Sequence, residues 1–203
     1  TIAPKLTARL AFRLFSTPLV RARHRKRDQL LATARTFEFA YDDLLLTGYE
    51  WGRGPRNVLL VHGWESRGTA LRYFVPPLLN AGYHVYTFDG PAHGQSAGKM
   101  THLLHFGGAV REMLERLGKV EAIIGHSFGG SSSVYCLSHL MPQFPVPKLA
   151  LIASPSSSRR ILESNLRLIR APERMKPYFF RYIENRLGKE VDEVNISLSY
   201  GKG

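Results

Sequence analysis

Hydrophobic and polar positions follow two rhythms along the chain, and the changes between them mark its elements. "TFEFA" (36–40) alternates with a period of two, and "LLLTGYEW" (44–51) follows it across the turn residues Asp42 and Asp43, so the pair predicts a β-hairpin. "VLLVHG" (58–63) is a continuous apolar run, as in a strand buried on both faces. "TALRYFVPPLLNAG" (69–82) has helical spacing, with Pro76 and Pro77 expected to bend or interrupt it before Gly82. Next come a strand "YHVYTFD" (83–89), a helix "HLLHFGGAVREMLERLG" (102–118), a strand "VEAIIGHS" (120–127), a helix "FGGSSSVYCLSHLM" (128–141) and a strand "KLALIASP" (148–155). Strand and helix alternate after the hairpin, which predicts an α/β fold with a doubly wound, mostly parallel sheet. From Arg159 the pattern turns basic and helical, with breaks expected at Pro172 and Pro177. Ahead of the hairpin, Leu6, Leu10 and Leu14 form a helical stripe with arginines nearby. The expected organisation is a basic, helical arm over 1–35, an α/β core over 36–158, and a helical segment over 159–203.

Composition changes this picture in few places. A chain of 203 residues is long enough for one α/β domain. No stretch approaches the roughly 20 uninterrupted apolar residues of a membrane span. Arg9 and Arg13 interrupt the apolar start, which argues against a cleaved secretory signal. The single cysteine, Cys136, allows no intrachain disulfide and lies in a helical pattern, as expected of a buried thiol in a cytoplasmic, reducing compartment. The chain begins at Thr1 and ends on "SYGKG", so both ends read as cut.

Charge adds a possible partner. The net charge of +12 is concentrated in "RARHRKR" (21–27) and in a second zone over 159–189. Arg21, Arg23, Arg25, Lys26 and Arg27 form either a solvated arm or a contact with an anionic membrane surface. The leucine stripe fits an interfacial helix on such a surface, or a helix packed on other protein. The aromatic interleaving of a nucleic-acid platform is lacking, so no nucleic-acid partner is expected.

The chemistry centres on "GHSFGG" (125–130), set between an apolar strand and a helix. A serine at a sharp strand-to-helix turn is held clear of the backbone. The helix N-terminus then offers N–H groups and a positive dipole end to a developing oxyanion. Gly125 and Gly129 permit the close approaches that such a turn needs.

With "HGW" (62–64) and "DGPAHGQSAG" (89–98) in the same order, the chain resembles the N-terminal two-thirds of an α/β-hydrolase superfamily serine hydrolase, best over 36–158. Residues 159–190 resemble only the variable helical cap of such enzymes. The resemblance implies a sheet whose first six strands lie in the order first, second, fourth, third, fifth, sixth. It implies Ser127 as nucleophile, and the backbone N–H groups of Trp64 and Phe128 as oxyanion donors. Gly125, His126, Gly129 and Gly130 then shape the elbow, and His62, Gly63, Asp89 and His93 form the loops beside it. Ala92 stands where glycine is usual.

The family order of Ser, then acid, then His leaves the base unassigned. The only histidine after Ser127 is His139, twelve residues along the helix. At about 1.5 Å per residue it is on the order of 18 Å away, too far to serve. His62 and His93 read as supports of their turns and His126 as part of the elbow. The spacing of Glu163, Glu173, Glu184, Glu190, Asp192 and Glu193 selects none as the acid. Acid and base are therefore expected on seventh and eighth strands outside this chain, which alone is expected to be inactive.

A serine at position 127 favours acyl transfer over the epoxide or haloalkane chemistry that an aspartate there would indicate. Neither a phosphate loop nor zinc-ligand spacing is present, so no cofactor or metal is expected. The sequence thus predicts hydrolysis of a small-molecule carboxylic ester, thioester or amide. A non-catalytic binding module of the same fold and an acyltransferase are the alternatives.

Overall fold

The computed structural model describes residues 4–24 and 28–193. The described residues gather in two separate units, one within 18–154 and one joining those before 18 to those after 154. Residues 18–35, assigned to the N-terminal arm by the sequence, gather with the sheet.

The larger unit is built on six strands: β1 (Arg35–Tyr41), β2 (Leu44–Trp51), β3 (Arg56–Val61), β4 (Tyr83–Phe88), β5 (Ala122–His126) and β6 (Lys148–Ile152). Asp42 and Asp43 both take positive φ, +47° and +57°, which gives the β1–β2 hairpin the primed-type turn that matches strand twist. The strand order is β1-β2-β4-β3-β5-β6. β2 joins β4 antiparallel, while β4, β3, β5 and β6 run parallel. This is the mostly parallel α/β sheet that the sequence predicts. From β3 the chain crosses to β4 on one side and later returns to β5 on the other. The carboxyl ends of β3 and β5 therefore flank a topological switch point, where open α/β sheets place ligands.

The alternation within β3 divides the core. Leu59 and Val61 face a cluster with Phe88, Phe106, Val110 and Met113, whose last three members come from α4 (Leu103–Leu117). Val58 and Leu60 face the opposite cluster, with Tyr49, Trp51, Leu71 and Val75. Asp28 caps the short helix α2 (Gln29–Ala32), accepting from Leu31 N at 3.2 Å. The helical run over 69–82 is interrupted at its prolines: a 3-10 stretch, Gly68–Phe74, gives way to α3 (Val75–Asn80), whose first turn holds Pro76 and Pro77, where a missing N–H costs nothing. The helix after β5 is not uniform either. α5 (Phe128–Tyr135) passes into a π-helical turn over Cys136–Leu140, closed by Met141 N on Cys136 O at 2.9 Å.

The smaller unit holds α1 (Pro4–Phe15), α6 (Ser158–Leu168) and α7 (Lys176–Leu187). α1 lies on α7 through edge-on ring pairs, Phe12 with Tyr182 and Phe15 with Phe179, each at 5.6 Å. Its buried side is Ala8, Ala11 and Phe12, so the leucine stripe faces outward. Pro177 opens α7 instead of breaking it, for the same reason as the α3 prolines. Pro172 does mark a break, as cap of a short 3-10 turn over Glu173–Met175. No helix of the described residues is long and apolar enough to cross a membrane.

Candidate active site

Ser127 stands between the last residue of β5 and the first of α5 with φ 50° and ψ −122°. A non-glycine residue in that region carries strain of order 1–3 kcal/mol, held only where the surroundings fix it. Here they do. Ser127 N donates to Ile152 O of β6 at 2.8 Å, and Ser127 O accepts from Ser131 N at 3.1 Å as the helix begins. The glycines of "GHSFGG" have steric reasons. A Cβ on Gly125 would meet Gly130 Cα at 2.5 Å. One on Gly129 would collide with His62 O and lie 2.7 Å from Val61 O, and one on Gly130 would strike Ser154 Oγ. The helix start is therefore pressed against the carboxyl end of β3, which brings the elbow beside "HGW".

Gly63 completes that contact: a Cβ there would fall 3.2 Å from Ser127 Cβ and 3.0 Å from His126 Nδ1. The Trp64 ring meets the Phe128 ring edge-on at 5.1 Å, so the residues read as the two oxyanion donors are neighbours in space. Phe128 opens α5, where an N–H has no intrahelical acceptor. Phe106, from α4, joins this group with its ring 5.3 Å from Phe128 and 5.4 Å from His62. Sequence reasoning missed Phe106, whose only signal is its apolar place in a helical pattern.

His62 and His93 are locked as neutral bridges. His62 Nε2 accepts from Gly90 N at 2.9 Å, so its proton is on Nδ1, 2.7 Å from Gly63 O. His93 repeats the pattern, accepting from Glu65 N on Nε2 at 3.0 Å and facing Pro91 O from Nδ1 at 2.9 Å. Burial, helped by neighbouring His93, pushes the His62 pKa down to about 4. Burial lowers that of His93 as well. With both nitrogens of each ring engaged, neither is free to take a proton from Ser127. Among the described residues no histidine nitrogen is hydrogen-bonded to Ser127 Oγ. His139 lies in the π-helical turn, stacked on Tyr135 at 4.9 Å.

Asp89 is fully buried and accepts from Gly68 N at 2.6 Å, Gln95 N at 2.8 Å and Tyr49 Oη at 2.9 Å. His24 Nε2 approaches the same carboxylate at 3.0 Å, while its Nδ1 is 3.0 Å from Thr69 Oγ1. Burial alone raises the Asp89 pKa, but the hydrogen bond and charge of His24 and the two backbone donors outweigh it and bring the pKa below the ordinary value. Burial, helped by the Asp89 carboxylate, pushes the Tyr49 phenol upward. Asp89 is thus an anchor between loops, not a free acid.

The segment before α2 is tied to these loops in a way that no sequence motif foretells. Glu65 Oε1 accepts from Leu19 N at 2.7 Å and Val20 N at 3.1 Å. Arg21 Nε donates to Gly94 O at 2.8 Å, and its Nη2 reaches Ser96 O. Arg21, read from the sequence as part of a basic surface, directs its guanidinium into the "DGPAHGQSAG" loop. Arg23 is exposed, and Arg25, Lys26 and Arg27 lie outside the described residues. Ala92 takes φ +65°, the left-handed conformation that explains glycine as the more usual residue there.

A model of the alpha/beta hydrolase family matches residues 58–195. Among solved structures, an esterase from Pyrococcus furiosus aligns at 25% identity and TM-score 0.53, over 59% of this chain and 53% of that one. Another crystal form of that esterase aligns at 19% identity and TM-score 0.66, over 92% and 74%. Epoxide hydrolase A from Mycobacterium thermoresistibile aligns at 23% identity and TM-score 0.57, over 70% and 46%. The thioesterase domain of the curacin biosynthetic pathway aligns at 21% identity and TM-score 0.51, over 57% and 43%. The first two solved structures are thus spanned over only about half their length, 53% and 46%. No curated protein matches.

Proposed function

The chain belongs to the alpha/beta hydrolase family, and from that premise we propose that it carries the nucleophile and oxyanion site of a serine hydrolase acting on a carboxylic ester, thioester or amide. The observation that carries the proposal is the strained backbone of Ser127 at the β5–α5 junction, where Gly63 and Trp64 adjoin it. An ordinary glycine-rich turn has no need of a serine at φ 50°.

In this reading Ser127 Oγ attacks the substrate carbonyl carbon and gives its proton to a general base. The carbonyl oxygen becomes an oxyanion and accepts from the Trp64 and Phe128 N–H groups. Collapse of the tetrahedral species expels the alcohol, thiol or amine, which takes the proton, and leaves an ester on Ser127. Water then attacks that ester and frees the acid. The base is none of His24, His62 and His93, each engaged at both ring nitrogens. The serine hydroxyl favours this chemistry over epoxide opening, although epoxide hydrolases are among the structural relatives.

The test is a fluorophosphonate probe and a short-chain aryl ester applied to the protein that carries this chain. We expect a probe adduct on the peptide containing Ser127. Ser127→Ala should lose both labelling and about four or more orders of magnitude in ester turnover, with little change in unfolding midpoint. Unchanged turnover in Ser127→Ala would overturn the assignment.

A further inference from the structure

Around α1 the exposed surface divides into two stripes. Leu6, Leu10 and Leu14 are 51%, 54% and 39% exposed, and Lys5, Arg9 and Arg13 stand beside them, also exposed. At 3.6 residues per turn, each stripe repeats every four residues and follows one line of the helix. The side that meets α7, with Ala8, Ala11 and Phe12, lies roughly 150° around the helix from the leucines. A helix that needed only to cover α7 would carry polar residues at 6, 10 and 14. Three leucines along one turned-out line, each within a turn of a cation, make an apolar strip edged by positive charge.

The same unit repeats this composition where α6 ends. Leu168 is 82% and Ile169 41% exposed, and they are flanked in sequence by Arg167 and Arg170. Acidic residues are missing from α1 altogether. An acidic protein partner would pair with the cations but gain nothing from the leucines, and a second copy would bring cation against cation. An anionic lipid surface meets both demands. Its headgroups neutralise the lysine and arginines, and its acyl boundary takes up leucine side chains to a depth of about 5–10 Å. Each cation near such a surface adds about 1 kcal/mol of attraction.

We propose that the outward side of α1 is a membrane-surface contact, in which Leu6, Leu10 and Leu14 enter the interface of an anionic phospholipid bilayer and Lys5, Arg9 and Arg13 contact its headgroups. α1 lies along the surface and does not span it. The proposal rests on the smaller unit alone and is independent of what Ser127 does.

The experiment is co-sedimentation of the protein with vesicles of phosphatidylcholine, with and without phosphatidylglycerol, at low and at physiological salt. The wild-type protein should pellet with the anionic vesicles, less so as salt rises, and little with the neutral ones. Leu6→Ser/Leu10→Ser/Leu14→Ser and Lys5→Gln/Arg9→Gln/Arg13→Gln should each weaken anionic binding by about tenfold or more. Unfolding midpoints measured alongside should stay near wild type. Should the leucine variant fail to fold, the charge variant reads out the same contact. No binding by the wild type, or wild-type binding by the charge variant, would overturn the proposal. So would a lipid-free dimer dispersed by the leucine substitutions, or a leucine variant that unfolds early while the charge variant binds undiminished. Those results would assign the face to a second copy or to internal packing.

Discussion

The carboxyl ends of β3 and β5 and the outer side of α1 use their side chains in opposite ways. At the strand ends polar groups are inside and held: Asp89, His62 and His93 are each essentially inaccessible and each bonded to backbone at fixed positions. On the outer side of α1 apolar groups, Leu6, Leu10 and Leu14, are turned largely to the outside. In the first region, nearly every atom has one permitted neighbour. In the second, only the character of the surface is specified. Substitutions should therefore act through stability in one region and through association in the other.

Four changes sharpen that contrast. The largest effect belongs to Asp89→Asn. It removes a buried charge from among four donors, and breaking such a site costs about 3–5 kcal/mol, read as a lowered midpoint in urea. Gly129→Ala follows at about 3 kcal/mol, because its methyl meets two backbone carbonyls of the β3 end that cannot swing aside. A fall of less than about 1 kcal/mol would mean that the elbow is looser than its contacts indicate.

Acid gives the third test. The His62 pKa, about 4 when folded, lies below the usual 6.5 of an unfolded histidine, so the unfolded chain binds the extra proton. Stability is complete above about pH 6.5 and declines as pH falls toward 4, by about 2 kcal/mol at pH 5. The lowered pKa of Asp89 adds a separate loss below about pH 4, as the carboxylate protonates on passing its folded value. Asp89→Asn should shrink the lower window and keep the upper, which urea titrations at several pH values can separate. The smallest effect is Leu10→Ser on α1, within about 0.5 kcal/mol of wild type. A larger loss would mean that this side of α1 is packed on protein.

How far the sequence could be read follows the same division. The strands themselves, the hairpin and the strand–turn–helix around Ser127 were legible because each follows from local periodicity and glycine placement, whereas the strand order came only with the family resemblance. The β2 bounds coincide with the hairpin partner read at 44–51. Pro177 misled because a proline's effect depends on position: it reads as a break but sits in a first turn, where helices accept it. The leucine stripe gave a correct helix and left its facing open, since alanine and phenylalanine were what packed on α7. His24, Glu65 and Arg21 carried no signal, because their partners are far away in sequence; those of Glu65 and Arg21 are largely backbone groups, which leave no trace in residue identity, and those of His24 are the side chains of Tyr49, Thr69 and Asp89.

That last feature has a consequence for how the protein is made. The bonds from Leu19 to Glu65, His24 to Asp89 and Arg21 to Gly94 close intervals of 46, 65 and 73 residues. A chain synthesised from its N-terminus produces this strap before its partners: the carbonyls and carboxylates that receive it emerge only after β3 and β4. The strap must wait, unpaired, until the loops around Ser127 exist. Closing such intervals costs chain entropy that local contacts do not, so its docking belongs to the late, slow part of folding. In pulse-labelled hydrogen exchange, protection at Leu19 and Val20 should trail that of the β1–β2 hairpin.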